Sequence, residues 1–375
     1  MTLDLLLVGF GNVARQFVAL LKERRAVLER EHALRVRVIA VATRRHGHAF
    51  RPGGLDAVSL AGRIDRGESI GSDLVSGSSR TGALSSLDFL RHVVAKSGAA
   101  ARQRRLVVVE TTTLDIARGE PAIRHVRAAL AGGAHVITAN KGPVAFAYRS
   151  LARAADRAGR RFLFEGTVMD GIPVFNLVRE TLPAVNVTGF RGVVNSTTNY
   201  ILTAMEQGQG FDEALARMQA MGIAEADASL DVDGWDAAAK TAALANVLLG
   251  AALTPGTVER QGISAETGRR AIAARTAGRR LKLVARAGRE GRRITARVAP
   301  EELPADDLLA GLEGRQNALI LQTDLLEEFA IVQRGGSLTE TAYALLSDLV
   351  TIARGIRPAG ASRRSRPRAR GRRSL

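Results

Sequence analysis

Residues 2–14 read TLDLLLVGFGNVA, and residues 15–31 continue RQFVALLKERRAVLERE. The apolar run from Leu3 to Gly9 is the right length for one buried strand. The segment after it repeats apolar residues at helical spacing. Strand, glycine turn and helix in that order is the opening of a dinucleotide-binding unit. Its glycines permit a tight turn and close approach of a pyrophosphate to the helix N-terminus. The third glycine of the fingerprint is Ala14, which the pattern tolerates. An ordinary strand-to-helix turn is the alternative, so the rest of the chain has to decide.

The next segments repeat the alternation. Arg35–Ala42 (RVRVIAVA) predicts a second strand, ending at Thr43-Arg44-Arg45. Folds that bind NAD usually place an acid at this strand end for the ribose hydroxyls. Two arginines there predict NADP(H), with Arg44 or Arg45 on the 2′-phosphate, or else a solvated basic loop. A buried strand is expected at 104–110 (RRLVVVE), followed by Thr111-Thr112-Thr113. Beyond it come a helix at about 121–131, a strand at 134–138, a helix at about 143–158 and a strand at 161–165. Residues 46–105 are rich in glycine and serine and give no clear pattern. Alternating strands and helices predict an α/β fold, a doubly wound parallel sheet, with a second α+β domain from about residue 150.

Composition narrows the class. A chain of 375 residues, 46% hydrophobic and 24% charged, can bury the core of two domains. No apolar run reaches the length of a membrane span. The start, MTLDLLLVGFGN, has an acid and no base before its apolar run, unlike a secretory signal, so a cytoplasmic protein is expected. With no cysteine, disulfides, thiolate metal sites and cysteine nucleophiles are excluded. The net charge of +17 points to polyanions, but eight arginines lie in residues 357–375 with no acid, and without them the excess falls to +9. That tail is expected to be disordered and to touch nucleic acid only weakly. Aromatic residues, at 4%, offer few stacking platforms for bases.

The chemistry concentrates in residues 225–240, EADASLDVDGWDAAAK, where five carboxylates (Glu225, Asp227, Asp231, Asp233 and Asp236) precede Lys240. After Lys240 no charge follows until Glu259. Asp233 is expected to cap the helix that follows. Asp236 and Lys240 are four apart, on one helix face. They form either an ordinary surface ion pair or a functional one, and the flanking alanines leave little solvated face for the lysine. TANKGP (138–143) puts Lys141 at the C-terminal end of a parallel strand, where open α/β sheets bind ligands. EGTVMDGIP (165–173) combines a carboxylate with many free backbone carbonyls, an oxygen set that suits a hard cation, or is a plain turn. VNSTTNYIL (194–202) offers polar groups able to cap the helix it enters.

Together these segments resemble the homoserine dehydrogenases. The resemblance runs through GFGNVA, VVVETTT, TANKGP, EGTVMDGIPVFN, NSTTNYIL, GIAEADASLDVDGWDAAAK and ETAYALLSDL, in the family's order, over about residues 7–350. It implies a Rossmann-type domain (1–150, completed by 338–356), a catalytic and dimerisation domain (151–337) and a homodimer. The implied reaction interconverts L-homoserine and L-aspartate 4-semialdehyde with NADP, or alternatively NAD, in threonine and methionine biosynthesis. By resemblance, Lys240 is the acid/base, Lys141 the second active-site lysine, and Glu225, Asp231 and Asp236 the substrate carboxylates. Cofactor contacts fall on Gly9, Gly11, Asn12, Val13, Thr112, Lys141, Gly222 and Gly336. A monovalent cation, sodium or potassium, falls on Glu165 and the backbone carbonyls of Val168, Asp170 and Ile172.

The chain departs from the family at four places: Ala14 and Ser196 where glycine is common, Asp170 where a smaller residue is common, and a shortened loop at 333–337. No folded segment is expected after the last helix, so the family's regulatory domain and kinase fusion, with threonine inhibition, are not expected. Two rival readings are a related amino-acid dehydrogenase of the same architecture and a polyanion-binding protein with a degenerate dinucleotide fold.

Overall fold

The computed structural model describes residues 1–71, 84–103, 105–220, 228–291 and 293–356. The first sheet contains β1 (Thr2–Val8), β2 (Arg35–Ala42), β3 (His48–Phe50), β4 (Leu106–Glu110), β5 (His135–Thr138) and β6 (Phe162–Leu163). Their order across the sheet is β3-β2-β1-β4-β5-β6. β2, β1, β4, β5 and β6 are parallel, and β3 is an antiparallel edge strand that sequence did not show. The order reverses between β1 and β4, so the turns after these two strands flank the crevice where such sheets bind ligands.

β1 is buried on both faces, and its alternation assigns each face a core. Leu3, Leu5 and Leu7 pack with Phe17 of the helix Asn12–Glu23 and with Leu345 and Leu349 of the last helix, Leu338–Ile356. Leu6 and Val8 face the other way, onto Val108, Val126 and Val136. Each such leucine contributes roughly 1.5–3 kcal/mol of apolar burial. Asp4 survives inside this strand because Arg37 forks onto its carboxylate, Nε at 2.7 Å and Nη2 at 3.0 Å.

The second sheet contains β7 (Val187–Val193), β8 (Glu259–Arg260), β9 (Arg279–Glu290), β10 (Arg293–Pro304), β11 (Asn317–Thr323) and β12 (Glu328–Gln333). Its order is β12-β11-β7-β9-β10-β8, antiparallel except where β8 meets β10. The helices Ser196–Glu206, Trp235–Leu248 and Ala265–Thr276 pack on it. The first sheet continues to Leu163, and the helix Lys141–Ala158 runs through residue 150, where sequence placed a domain boundary. The strand expected at 161–165 is shorter, because Glu165 already belongs to a 3-10 turn, Glu165–Thr167.

The last helix returns to the first sheet and carries a buried acid, Asp348. Its Oδ2 accepts the Glu165 N–H at 3.0 Å and its Oδ1 accepts Asn176 Nδ2 at 2.9 Å. Burial, then the charge of Glu165, pushes the Asp348 carboxyl up to about 7 from an ordinary 3.8. A raised carboxyl binds its proton more tightly folded than unfolded, so stability is greatest below the unfolded value. It declines as pH rises toward 7. Thermal midpoints measured from pH 4 to 8 should show this decline in the wild type, and Asp348→Asn should lack that component.

Candidate functional site

Three helix starts meet at one point. Lys141 opens the helix Lys141–Ala158, directly after β5. Asn195 caps the helix Ser196–Glu206, after β7. Asp236 lies in the first turn of the helix Trp235–Leu248, with Lys240 one turn further on. Alanines 237, 238 and 239 are buried, and the small side chains let this helix pack against Lys141–Ala158. Buried Asn246 fastens the pair, its Nδ2 donating to the carbonyls of Val144 and Ala145, both at 3.2 Å.

Asp236 is the shared counterion of both lysines. Its Oδ1 lies 3.2 Å from Lys141 Nζ and its Oδ2 2.9 Å from Lys240 Nζ. Lys240 also donates to the Val194 carbonyl at 2.7 Å. Asn195 Nδ2 donates to Asp231 Oδ1 at 2.7 Å and to Asp236 Oδ2 at 3.0 Å. The side chains of Lys141, Asp236 and Lys240 are only 14–23% exposed.

Electrostatics follow from this arrangement. Burial favours the neutral form of Asp236, but Lys240 and Lys141 outweigh it and hold the carboxyl well below the usual range. Burial likewise favours neutral Lys240, but Asp236, then Asp170 and Asp231, push its ammonium above the ordinary 10.5. Asp231 is pushed up, by burial first and the charge of Asp236 second, with Asn195 pulling the other way. The result is a firmly cationic Lys240 beside an anionic Asp236. Such a cation can stabilise and protonate an oxygen on which negative charge develops.

The adjoining crevice is built on the first sheet. Gly9 has φ +85°, and a Cβ there would stand 2.7 Å from the Thr111 carbonyl, so the turn admits only glycine. Gly11 caps the next helix without a side-chain bond, and a Cβ on it would meet no atom within 4 Å. That leaves an open helix N-terminus with free N–H groups, the arrangement that suits a pyrophosphate. Exposed Asn12 accepts a bond from Arg15, and Val13 packs onto the core. Buried Glu110 accepts the N–H and hydroxyl of Thr112 and, at 3.0 Å, the Thr138 hydroxyl. Asn140 joins this crevice to the lysines: its Nδ2 donates to the Thr112 carbonyl at 2.9 Å, and its Oδ1 caps the Lys141 helix through Gly142 N–H at 2.8 Å. Arg44 and Arg45, exposed beyond β2, make no hydrogen bond or ion pair among the described residues.

The remaining sequence candidates sit around the loop 165–173. Glu165 is buried, with Oε1 accepting Val174 N–H (2.6 Å) and Phe175 N–H (3.0 Å) and Oε2 accepting Asn176 N–H. The carboxylate thus caps the helix Phe175–Thr181, a role sequence did not assign. Asp170, at φ +47°, ties the loop to the last helix: its carboxylate accepts Gln333 Nε2 at 3.0 Å and the Thr341 hydroxyl at 3.2 Å. A Cβ on Gly336 would collide with that carboxylate, which fixes Gly336 against the same loop. Val168 is buried, and half-buried Ile172 bonds back to Met169 through its N–H. Among the described residues no three acidic or histidine side chains form a metal cluster, so a cation here would rest on backbone carbonyls.

One expectation is corrected. Asp233 does not cap the Trp235 helix; Gly234 does, at φ +80°, and the exposed Asp233 instead offers its carbonyl to Arg260. Arg260 in turn lies 3.8 Å over the Trp235 ring. The glycine reaches a left-handed conformation that an aspartate disfavours, so the turn closes one residue later. Gly222 and Glu225, and with them the basic tail, lie outside the described residues.

The pattern of the homoserine dehydrogenase NAD-binding domain matches residues 9–165, and that of homoserine dehydrogenase matches residues 173–350. The chain belongs to the homoserine dehydrogenase family. It is 38% identical to the NAD(+)-dependent homoserine dehydrogenase of Pseudomonas canavaninivorans, over 93% of this chain and 95% of that one. It is 34% identical to the homoserine dehydrogenase of Methanocaldococcus jannaschii, over 93% and 98%. The solved homoserine dehydrogenase of Thiobacillus denitrificans superimposes with a TM-score of 0.76 at 28% identity, covering 94% of this chain and 74% of that one.

Sequence reasoning missed Glu110, Asn140 and the double donation by Asn195. An acid closing an otherwise apolar strand, and an asparagine before each helix, were the available signals.

The shared counterion gives a stability prediction. Asp236→Asn leaves two ammonium groups facing each other without their shared counterion. Removing one partner of a buried ion pair costs about 3–5 kcal/mol, and part exposure brings this nearer to about 1–3 kcal/mol. Urea unfolding at pH 7 should show a loss of that size.

Proposed function

We propose that the chain interconverts L-homoserine and L-aspartate 4-semialdehyde, with Lys240 as the acid/base group. The observation that carries this reading is the Lys141–Asp236–Lys240 network beside a glycine turn suited to a dinucleotide. A bound nicotinamide cofactor would supply or accept the hydride. Gly9, Gly11, Asn12, Val13, Thr112 and Gly336 are the residues proposed to hold it.

In the reductive direction negative charge grows on the aldehyde oxygen, and the Lys240 ammonium stabilises and then protonates it. In the oxidative direction neutral Lys240 takes the hydroxyl proton. Asp236 holds both lysines in place, and the Asp231 and Asp236 carboxyl groups receive the substrate's α-ammonium group, with Glu225 proposed as a third partner. A monovalent cation, sodium or potassium, would rest on the carbonyls of Val168, Asp170 and Ile172. Glu165 would fix that loop from behind. The protein is proposed to act as a cytoplasmic homodimer.

The deciding assay is homoserine-dependent reduction of NADP and NAD. Lys240→Ala should lose about 10²- to 10⁴-fold in kcat with cofactor binding retained. A wild type inactive with both cofactors, in sodium and in potassium buffers, would sink the substrate assignment. Because Lys240 is raised above its ordinary value, its neutral form is scarce at pH 7. Homoserine oxidation should therefore climb with pH, by up to about tenfold per unit, across roughly pH 7 to 10. Aldehyde reduction should not share that climb.

For the cofactor we propose NADP, on the ground that two guanidinium groups without a partner among the described residues follow β2, and no acid follows it in the Thr43-Arg44-Arg45 turn. The Pseudomonas relative, named as NAD(+)-dependent, favours the second reading. If the arginines meet the 2′-phosphate, Arg44→Ala with Arg45→Ala should raise KM for NADP about ten- to a hundredfold and leave NAD unaffected. Equal responses to the two cofactors would make the pair a solvated loop.

A further inference from the structure

Asn195 is buried and does two things at once. Its Oδ1 accepts the Thr198 N–H at 2.8 Å and the Thr198 hydroxyl at 3.0 Å, capping the helix Ser196–Glu206. That fixes which way the amide faces, because only a carbonyl oxygen can accept an N–H. The two N–H bonds of Nδ2 are therefore turned toward Asp231 and Asp236, one to each.

The contacts close a ring. Asn195 holds Asp236, Asp236 holds Lys240, and Lys240 donates to the carbonyl of Val194, the residue covalently joined to Asn195. Moving any member moves the others. Asp231 and Asp236 repel each other across this gap, and the neutral donor between them favours the charged form of each.

We infer that Asn195 is a positioning residue for the reaction, holding Asp231 and Asp236 as a paired anionic seat for the substrate's ammonium group and setting, through Asp236, the basicity of Lys240. The inference rests on the proposed function. Among the described residues, the charged groups facing Lys240 are Asp236 on its own helix, Asp231 on the preceding turn, Lys141 on the neighbouring helix and, further off, Asp170 on the loop 165–173. Only Asn195 hydrogen-bonds to both carboxylates of the seat among the described residues.

Two variants separate this role from helix capping, because aspartate and serine both cap as well as asparagine. Asn195→Asp keeps the cap but replaces the donor with an anion. The alkaline limb of homoserine oxidation should move up by about one pH unit, and kcat should fall about ten- to a hundredfold, the rate equivalent of losing a hydrogen bond to a charged group. Asn195→Ser keeps the cap but cannot span two carboxylates, so KM for homoserine should rise about tenfold with KM for the cofactor unchanged. Thermal midpoints are read alongside. An active wild type whose two variants match it in kcat, KM and pH profile would overturn the inference alone. Loss of folding in both variants would also overturn it and leave Asn195 a structural link between the two carboxylates. A wild type without turnover would overturn the functional reading, and this inference with it.

Discussion

One carboxylate placed between two ammonium groups organises this molecule. Asp236 accepts Lys141 on one oxygen and Lys240 on the other. Lys141 arrives at the end of a strand in the first sheet, whereas Lys240 rides on a helix packed against the second. Neither lysine would tolerate its partly buried position beside the other without that anion. The two sheets are therefore held in one relative placement by the requirement that the three charges meet. Asn246 supports the same placement through the backbone of the Lys141 helix, at 3.2 Å from each of two carbonyls.

How far this was legible in the sequence depends on the range of each interaction. The strand, turn and helix at 2–23 could be read because period and glycine placement are local, and Gly9 proves to be forced by its contact with Thr111. The Asp236–Lys240 pair could be read because four residues make one helical turn. The meeting with Lys141 could not, since 95 positions of chain separate it from Asp236 and only tertiary packing joins them. Resemblance, rather than spacing, placed Lys141 in the site. Asp233 was misread as a cap because aspartate is a good one, while the left-handed turn made Gly234 the only comfortable residue there.

Residues 46–105 resisted reading for a different reason. Their described residues hold short elements, His48–Phe50 at the sheet edge and helices at 57–65, 86–96 and 98–102, in a sequence whose many glycines and serines obscure the period. Glu165 resisted because its partners, the N–H groups of Val174 to Asn176, are a helix start nine to eleven residues away. A carboxylate beside free carbonyls suggests a cation ligand in sequence, whereas in three dimensions most of its lone pairs are already committed to amides.

The polar residues at the helix starts explain how so charged a centre holds together. Asn140 and Asn195 each use the amide oxygen for an ordinary cap and the amide nitrogen for a second element, Thr112 in one case and the Asp231–Asp236 pair in the other. An aliphatic cap substitute would lose both roles, and a serine could keep only the first. Three helix N-termini also bring positive partial charge to one place, which on its own would disfavour Lys141 and Lys240 there. The same field favours Asp236 in its first turn, and that carboxylate offsets the repulsion of both lysines. What remains around the lysines is a cationic environment with its counterions fixed in advance. Such an environment needs little rearrangement when negative charge appears on an oxygen, which is the electrostatic requirement for reducing an aldehyde.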